Sequence, residues 1–296
     1  MKKLFALASI IVLVSCNTKQ EATIDYGSNP AAGNYIDVND IKIYYETYGE
    51  GEPLLLLHGN GGSIENFVYQ IPELSKHFKV IAVDSRAQGR TTDSDSEITY
   101  ALMASDMSEL IDRLGLGKVN IVGWSDGGNI GLELAWAHPE KVLKVVTFGA
   151  NYTFENFMAP PDSCVMDPED PITRNIPEMM KRAATSGQRL SPDTLRIPLI
   201  RTKLEALVTN YPNFTSEQLR TINVPFLVIA GDHDLINLDQ TVSLFTNLPK
   251  AELFIVPHAS HLGPVENPEL INGEVIRFLK TPFRDIDRYY FFKMPQ

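Results

Sequence analysis

The segment Val119–Gly128 carries a serine in a setting that could make it a nucleophile. It reads as a buried strand, then Gly-Trp-Ser125-Asp-Gly, then a helix. Such a strand–turn–helix holds the serine in a strained turn that lifts its hydroxyl clear of the backbone. Side chains at 123 and 127 would collide with the turn and with the neighbouring strand and helix, so glycine fits at both positions. The following helix aims free N–H groups at the hydroxyl.

A serine hydroxyl is a weak nucleophile near neutral pH and needs a base, which a histidine can supply. Of the six histidines, His77 and His138 fall at predicted helix ends and are expected at the surface. The base in turn needs a carboxylate that accepts its second N–H and so fixes the tautomer. The segment 231–234 offers two aspartates for the acid, and the segment 257–261 offers two histidines for the base. Each segment follows an apolar run.

The chain resembles the α/β-hydrolase family, and the resemblance extends from Tyr35 to about Lys280. His58-Gly-Asn60-Gly-Gly follows the third apolar run, where the family carries its oxyanion loop. The resemblance implies that the backbone N–H groups of Asn60 and Asp126 hold the oxyanion of the reaction intermediate. It leaves His58 a structural role, in which its hydrogen bonds tie loops together.

The same resemblance selects the base and the acid. In the family, the catalytic histidine comes last in the loop after the final strand, which corresponds to His261, with His258 as its rival. The acid ends the pattern G-x-x-D, which corresponds to Asp234, with Asp232 as the fallback. The chain order Ser125, Asp234, His261 is that of this fold and differs from the other common triad orders.

The identity of the nucleophile indicates the reaction. Family members that act as dehalogenases or epoxide hydrolases carry aspartate at this position, whereas this chain carries Ser125. A serine points to acyl transfer, in which the hydroxyl attacks a carbonyl and water later releases the acid. The predicted substrate is a small or medium carboxylic ester. The sequence contains no metal-binding constellation, and the predicted reaction requires no cofactor.

Residues 123–128, together with Phe148-Gly-Ala-Asn151, resemble the biphenyl-hydrolase-like and valacyclovir-hydrolase branch. That branch includes hydrolases of amino-acid esters, so the Asp126 carboxylate is a candidate for binding a substrate ammonium. The alternative is that an acidic residue in the first helical turn favours the helix dipole. Trp124 either lines the acyl pocket or packs under the serine.

The elements that must position these residues alternate along the chain. An initial hairpin followed by buried strands and amphipathic helices predicts an α/β-hydrolase fold with a mostly parallel, doubly wound, eight-stranded sheet. The predicted strands are Tyr35–Val38, Ile41–Tyr48, Leu54–Leu57, Val80–Val83, Val119–Val122, Val142–Phe148, Phe226–Ala230 and Leu253–Val256. The predicted helices are Met103–Leu114, Ile130–Ala137 and one from Pro268 to Phe278, capped by Asn267.

The alternation is interrupted once, and an insertion of that length is unlike a bare loop. It contains helical pieces at Pro177–Thr185 and Ile200–Thr209, which predict a helical cap. The predicted parts are a signal peptide at 1–15, a lipidated cysteine and linker at 16–34, a core at 35–152 and 222–280, the cap at 153–221 and a tail at 281–296. The aromatic tail either packs on the core or binds a partner.

The amino terminus resembles a bacterial lipoprotein signal. Lys2 and Lys3 precede the apolar run Leu4–Val14, which is too short to span a bilayer, since about twenty residues are needed. Leu13-Val-Ser-Cys16 resembles a lipobox, in which the cysteine receives lipid after cleavage. The alternative is an ordinary secretory signal with a cysteine by chance. We expect an exported lipoprotein, anchored to a membrane through Cys16 and facing the periplasm or the cell surface.

Net charge and cysteine content narrow the functional classes to which the protein could belong. The formal net charge is −11, with no block of like charges, which argues against nucleic acid as a partner. The second cysteine, Cys164, is expected to be a bystander rather than a nucleophile. Besides the ester hydrolase, two readings stay open: a carbon–carbon bond, lactone or amide hydrolase with the same triad, and a non-catalytic binding protein on this scaffold.

Overall fold

The computed structural model describes residues 24–155, 185–286 and 290–294. Its centre is one eight-stranded sheet with the strand order β1-β2-β4-β3-β5-β6-β7-β8. The strands are β1 (Gly33–Val38), β2 (Ile41–Tyr48), β3 (Pro53–Leu57), β4 (Lys79–Val83), β5 (Val119–Trp124), β6 (Val142–Phe148), β7 (Phe226–His233) and β8 (Ala251–Ser260). Only the β1–β2 and β2–β4 pairs are antiparallel, and the other pairs are parallel.

Helices cover the sheet. They are α1 (Ile71–Leu74), α2 (Tyr100–Arg113), α3 (Asp126–Ala137), α4 (Ile197–Asn210), α5 (Ser216–Leu219), α6 (Leu238–Asn247), α7 (Gly263–Glu266) and α8 (Pro268–Lys280). Short 3-10 turns occupy Ile64–Phe67, Pro139–Lys141, Thr194–Arg196 and Tyr290–Lys293. Residues 185–189 are also helical. The prediction of a mostly parallel, eight-stranded α/β-hydrolase fold is confirmed.

Apolar side chains on both faces of the sheet explain the parallel pairing. All residues of β5 are buried, and the four leucines of β3 are fully buried. Alternate residues of these strands enter two separate apolar clusters, which lie on opposite faces of the sheet. The first cluster contains residues of α2 and α3, and the second contains residues of α1 and α8. A central strand that is covered on both faces therefore reads as a continuous apolar run.

Some boundaries differ from the predicted ones because caps and turns, rather than apolar periodicity, set them. Helix α2 begins at Tyr100, since the Thr99 side chain accepts the Leu102 N–H at 3.0 Å. Helix α3 begins at Asp126, directly after the serine. Asn267 stands at the N-cap of α8 as predicted, but its side chain makes no capping hydrogen bond.

The predicted cap is described only in part. Helix α4 runs from Ile197 to Asn210, slightly longer than the predicted Ile200–Thr209. The helical piece Pro177–Thr185 lies outside the described residues except for its last member, and so do Cys164 and the lipidation candidate Cys16. The cap assignment as a whole stays a prediction. No helix within the described residues is long and apolar enough to cross a membrane.

Candidate active site

Ser125 lies at the carboxyl end of β5, in a turn that enters α3. Its φ is 55° and its ψ is −119°, in the left-handed region that residues other than glycine rarely adopt. A Cβ at Gly123 would lie 2.2 Å from the Gly127 carbonyl oxygen, and a Cβ at Gly127 would lie 1.8 Å from the Leu57 oxygen. Both glycines are therefore needed for the close approach of β3, β5 and α3, as predicted. Ser125 itself is half-buried between buried neighbours.

Asp234 and His261 form a hydrogen-bonded pair at the same edge of the sheet. Asp234 follows β7 and His261 follows β8, and their Oδ1 and Nδ1 atoms are 2.7 Å apart. The Ile236 N–H donates to the same Oδ1 at 3.0 Å, which helps to fix the carboxylate. The Asp234 side chain is 1% exposed and the His261 side chain is 17% exposed. The pair is thus nearly enclosed, with the imidazole the more accessible partner.

Two contacts bring the serine turn against this pair. The Ser125 N–H donates to the Phe148 oxygen at 2.7 Å, and the next residue, Gly149, lies against the pair. A Cβ at Gly149 would be 2.7 Å from His261 Nδ1 and 3.0 Å from Asp234 Oδ2. In addition, the Trp124 indole N–H donates to the His261 backbone oxygen at 2.9 Å. The structure therefore joins Asp234 to His261 and places Ser125 in the adjoining turn, but no hydrogen bond between Ser125 and His261 occurs among the described residues.

The rival residues lie elsewhere. Asp232 Oδ1 is 2.6 Å from His233 Nδ1, and these side chains are 33% and 70% exposed. The exposed ring of His258 stacks on His233 with centroids 6.4 Å apart. Asp232 and His258, the two alternatives left open by the sequence, thus lie together on the surface. Neither makes a hydrogen bond to Ser125 in the described part of the chain.

The predicted oxyanion loop lies directly against the serine. A Cβ at Gly59 would be 3.1 Å from Ser125 Cβ. The backbone N–H groups of Asn60 and Asp126 have no hydrogen-bond acceptor among the residues that the structure describes, so they are available to a ligand oxygen. The next N–H, that of Gly61, donates to Gln88 Oε1 at 2.6 Å. The loop is thus held beside the nucleophile with one unused donor, and the first residue of α3 supplies the second.

His58 has the structural role predicted for it. It is fully buried, its Nδ1–H donates to the Gly59 oxygen at 2.8 Å, and its Nε2 accepts the Ser85 N–H at 3.0 Å. An acceptor nitrogen cannot carry a proton, so these contacts require the neutral ring. Burial lowers the pKa of His58 to about 4, although its bond to the Gly59 oxygen opposes this. His58 therefore joins the oxyanion loop to the turn after β4.

Asp126 is held by protein donors. Asp126 is only 4% exposed. Its carboxylate accepts hydrogen bonds from the Tyr100 hydroxyl at 2.7 Å and from the Asn60 side-chain amide at 2.9 Å. Burial raises the pKa of Asp126, while the bonds from Tyr100 and Asn60 and the electrostatic interaction with His261 act in the opposite direction. Binding of a substrate ammonium by this carboxylate stays a prediction, and each of its oxygens already has a partner.

Trp124 packs against Phe148 and bonds the histidine loop. Its buried ring meets the Phe148 ring edge-on at a centroid distance of 6.5 Å. Together with the bond from its indole N–H to His261, this packing makes Trp124 a support of the histidine loop. Trp124 also lines a small cavity together with Phe148 and Ile229, and its lining of the acyl pocket stays a prediction.

Sequence reasoning missed two residues that shape the site, Tyr100 and Gln88. Tyr100 begins α2 and reaches the Asp126 carboxylate, and Gln88 reaches the oxyanion loop from the turn after β4. Neither belongs to a local motif that contains its partner. The separation in sequence is 26 and 27 residues, so only the folded topology brings them together. Within the described residues, no group of three or more His, Cys, Asp or Glu side chains could hold a metal ion.

Comparisons with known proteins agree with this fold. Residues 52–184 match the family described as alpha/beta hydrolase fold. A relative from Caulobacter sp. (strain K31), provisionally named carbamate hydrolase RutD, is 29% identical over 264 residues, covering 80% of this chain and 95% of the relative. The 2-hydroxy-6-oxo-6-(2'-aminophenyl)hexa-2,4-dienoic acid hydrolase of Metapseudomonas resinovorans is 25% identical over 278 residues, covering 88% and 95%.

A solved structure gives the same fold. The carboxylesterase CesB (YbfK) from Bacillus subtilis superposes with a TM-score of 0.67 at 24% identity, covering 84% of this chain and 91% of CesB. At this identity the likeness speaks for the fold alone. The related proteins are named as hydrolases of different bonds, so the shared property is hydrolysis rather than one substrate.

Proposed function

We propose that the chain is a serine hydrolase of the alpha/beta hydrolase fold family, whose model matches residues 52–184, and that it cleaves a carboxylic ester of small or medium size. The observation that carries the proposal is the enclosed Asp234–His261 hydrogen bond beside a serine at positive φ. A strained serine next to an oriented imidazole is the arrangement that nucleophilic catalysis requires. Neither the hydrogen-bonded pair nor the serine would indicate this chemistry by itself.

The proposed reaction begins with proton transfer from Ser125. A rotation of its side chain brings Oγ to His261 Nε2, and such bonds are often long or absent before substrate binds. The Oγ forms a bond to the ester carbonyl carbon as its proton passes to Nε2. Asp234 accepts the Nδ1–H of the imidazole and stabilises the imidazolium that results.

The remaining steps use the oxyanion loop and water. The N–H groups of Asn60 and Asp126 donate to the negative oxygen of the tetrahedral intermediate. The C–O bond to the alcohol then breaks, and the Nε2 proton leaves with the alcohol. Water then attacks the acyl carbon as His261 Nε2 takes its proton. The acyl–Oγ bond breaks, the Nε2 proton returns to Ser125 Oγ, and the carboxylic acid leaves the free enzyme.

A second candidate keeps the same three residues and changes the bond that is cleaved. The relatives named as a carbamate hydrolase and a dienoic acid hydrolase favour it, because they align with 80% and 88% of this chain. The sequence had left carbon–carbon, lactone and amide bonds as alternatives, and an acyl-enzyme on Ser125 is chemically compatible with each of them. A non-catalytic binding protein is the third candidate, and the presence of all three side chains speaks against it.

A fluorophosphonate probe tests the nucleophile. We expect labelling of the wild-type protein and none of Ser125→Ala, with Ser85→Ala, a buried serine outside the site, as the matched control that still reacts. Equal labelling of wild type and Ser125→Ala would reject the assignment. A panel of p-nitrophenyl esters, aminoacyl esters, lactones and carbamates then separates the bond classes, since turnover of a class other than esters would favour the second candidate.

We propose further that the protein is exported and anchored through a lipid on Cys16. The basic residues, the short apolar run and the small residue before Cys16 support this. Cells fed a radioactive fatty acid should label the wild type and Cys164→Ser but not Cys16→Ser. Label that persists in Cys16→Ser would refute the anchor without affecting the proposed chemistry.

A further inference from the structure

The two proposed oxyanion donors belong to residues whose side chains are bonded to each other. Asn60 lies in the loop after β3 and Asp126 is the first residue of α3, and Asn60 Nδ2 donates to Asp126 Oδ2 at 2.9 Å. The backbone N–H of each residue is free of an acceptor within the described residues. The side-chain bond therefore joins two separate segments at the very residues that would hold the oxyanion.

The partner on the Asp126 side is rigidly fixed. Tyr100 is buried at the start of α2, and its hydroxyl donates to Asp126 Oδ1 at 2.7 Å. Asn129, one turn further along α3, exchanges two hydrogen bonds with Asn151: its amide donates to Asn151 Oδ1 at 2.8 Å, and its Oδ1 accepts the Asn151 N–H at 3.1 Å. The first turn of α3, which carries Asp126, is thereby held to α2 and to the segment after β6. A carboxylate held in this way has little freedom to follow a substrate.

Asn60, by contrast, is the exposed residue of a glycine-rich loop. Its neighbours are Gly59 and Gly61, which impose little restriction on the backbone. The peptide after Asn60 is fixed by the bond from the Gly61 N–H to Gln88 at 2.6 Å. The Asn60 N–H belongs to the preceding peptide, whose Gly59 oxygen accepts from His58 Nδ1–H at 2.8 Å and from the Gly62 N–H at 3.1 Å. On the α3 side, the contact that holds Asn60 is its side-chain bond to Asp126.

We propose that Asp126 is a positioning residue: its carboxylate, held by Tyr100, fixes the Asn60 side chain and thereby sets the spacing between the two oxyanion donors. The inference rests on the proposed function. It differs from the idea that Asp126 binds a substrate ammonium, because it assigns both carboxylate oxygens to the protein. The tether should act equally on charged and neutral substrates, and it should act on the transition state rather than on the bound substrate.

Asn60→Ala tests the tether because it removes the side-chain amide and keeps the backbone N–H. We expect kcat to fall by about tenfold to a hundredfold, since loss of a whole oxyanion donor costs about a hundredfold or more. KM should change less than about twofold, and the loss should be equal on a neutral p-nitrophenyl ester and on an aminoacyl ester. Asn34→Ala, which removes an exposed amide from β1, is the matched control and should behave as wild type.

A swap of the two side chains sharpens the test. In Asn60→Asp the tether is replaced by two opposed carboxylates, and kcat should fall further than in Asn60→Ala. Adding Asp126→Asn should recover at least about tenfold of that loss, because the new amide can accept from Tyr100 and donate to the new carboxylate. A role limited to general stability would not give this pattern of loss and rescue.

Three outcomes would overturn the proposal: a kcat for Asn60→Ala within about twofold of wild type, a loss confined to the aminoacyl ester, or no recovery in the swapped pair. Hydrogen–deuterium exchange of residues 57–64 gives a readout that needs no turnover. Exchange should be faster in Asn60→Ala than in wild type, and unchanged exchange would also count against the tether. Absence of Ser125-dependent turnover in the wild type would refute the proposed function instead, while the exchange result would still decide the tether.

Discussion

Two aspartate–histidine pairs lie at the carboxyl edge of the sheet, and they differ in their surroundings rather than in their contact distance. The Asp232–His233 contact is 2.6 Å and the Asp234–His261 contact is 2.7 Å. The first aspartate is 33% exposed and the second only 1%. An exposed pair is hydrated and screened, whereas an enclosed pair keeps its orientation and interacts more strongly. Enclosure, not proximity, therefore distinguishes the candidate catalytic pair.

The local backbone explains why residues so close in sequence diverge. In a regular strand, residues 232 and 234 would point to the same side. The register between β7 and β8 shifts between Gly231 and His233, and β7 ends at His233. Asp234 thus lies beyond the strand, where the Ile236 N–H and His261 bind its carboxylate. The irregularity at the strand end separates the two carboxylates.

The largest expected effect tests this difference directly. In Asp234→Asn the imidazole loses the acceptor that fixes its tautomer, and kcat on an ester substrate should fall by on the order of a thousandfold to ten-thousandfold. The matched change Asp232→Asn should leave kcat within about twofold of wild type. Thermal unfolding of both variants checks that they fold. A comparable loss of kcat in the two variants would reverse the assignment.

The sequence predicted much of the site because its motifs are local. The glycines around Ser125 depend on a few neighbouring residues, and the family resemblance of two short loops selects Asp234 and His261. Tyr100 and Gln88 could not be predicted, since their partners lie 26 and 27 residues away and no periodicity encodes a contact across the sheet edge. The eight strands followed from apolar runs, whereas the starts of α2 and α3 depended on a cap and on the serine turn. The sequence therefore predicts candidate residues within local motifs, but it does not predict the distant residues that hold them in place.

His58 shows the effect of burial on a histidine that has no carboxylate partner, because both of its ring nitrogens bond backbone groups. Its pKa in the folded protein is about 4, below its ordinary value of 6.5, because burial disfavours the charged ring. Between these values the unfolded chain binds a proton that the folded chain does not, so this contribution to stability is complete above pH 6.5 and falls as the pH falls. At pH 5 the loss should be about 2 kcal/mol, at about 1.4 kcal/mol per pKa unit.

Urea unfolding of wild type and His58→Gln at several pH values measures this contribution. The variant is expected to be less stable at neutral pH, because it lacks the ring that joins two loops, but to lose less stability between pH 6.5 and 5. His77→Gln, which alters an exposed histidine, should keep the wild-type pH dependence. Parallel curves for wild type and His58→Gln would show that the neutral buried ring does not contribute.

A substitution at Trp124 tests how the histidine of the enclosed pair is held in place. Trp124→Phe keeps an aromatic ring against Phe148 and removes the N–H that binds the His261 oxygen. A small displacement of the histidine loop should lower kcat by about tenfold with little change in KM, since misplacement by about an ångström can cost about a hundredfold. Trp136→Phe, a change at an exposed ring against Phe214, is the control and should have no effect on kcat. Wild-type kcat in Trp124→Phe would remove this bond from the support of the site.

The smallest expected effect concerns the exposed pair itself. The hydrogen bond from His233 lowers the pKa of the Asp232 carboxyl, with further help from the His258 and Ala259 backbone N–H groups. In His233→Gln the pKa of Asp232, followed by carboxyl NMR, should therefore rise toward its ordinary value, and kcat should stay at the wild-type level. Added salt should reduce the difference between wild type and variant, because the pair is solvated and its charges are screened. An Asp232 pKa that does not move would mean that the backbone donors alone set it. A fall in kcat would mean that the exposed pair acts on the enclosed one, so that solvent exposure does not isolate it from the chemistry.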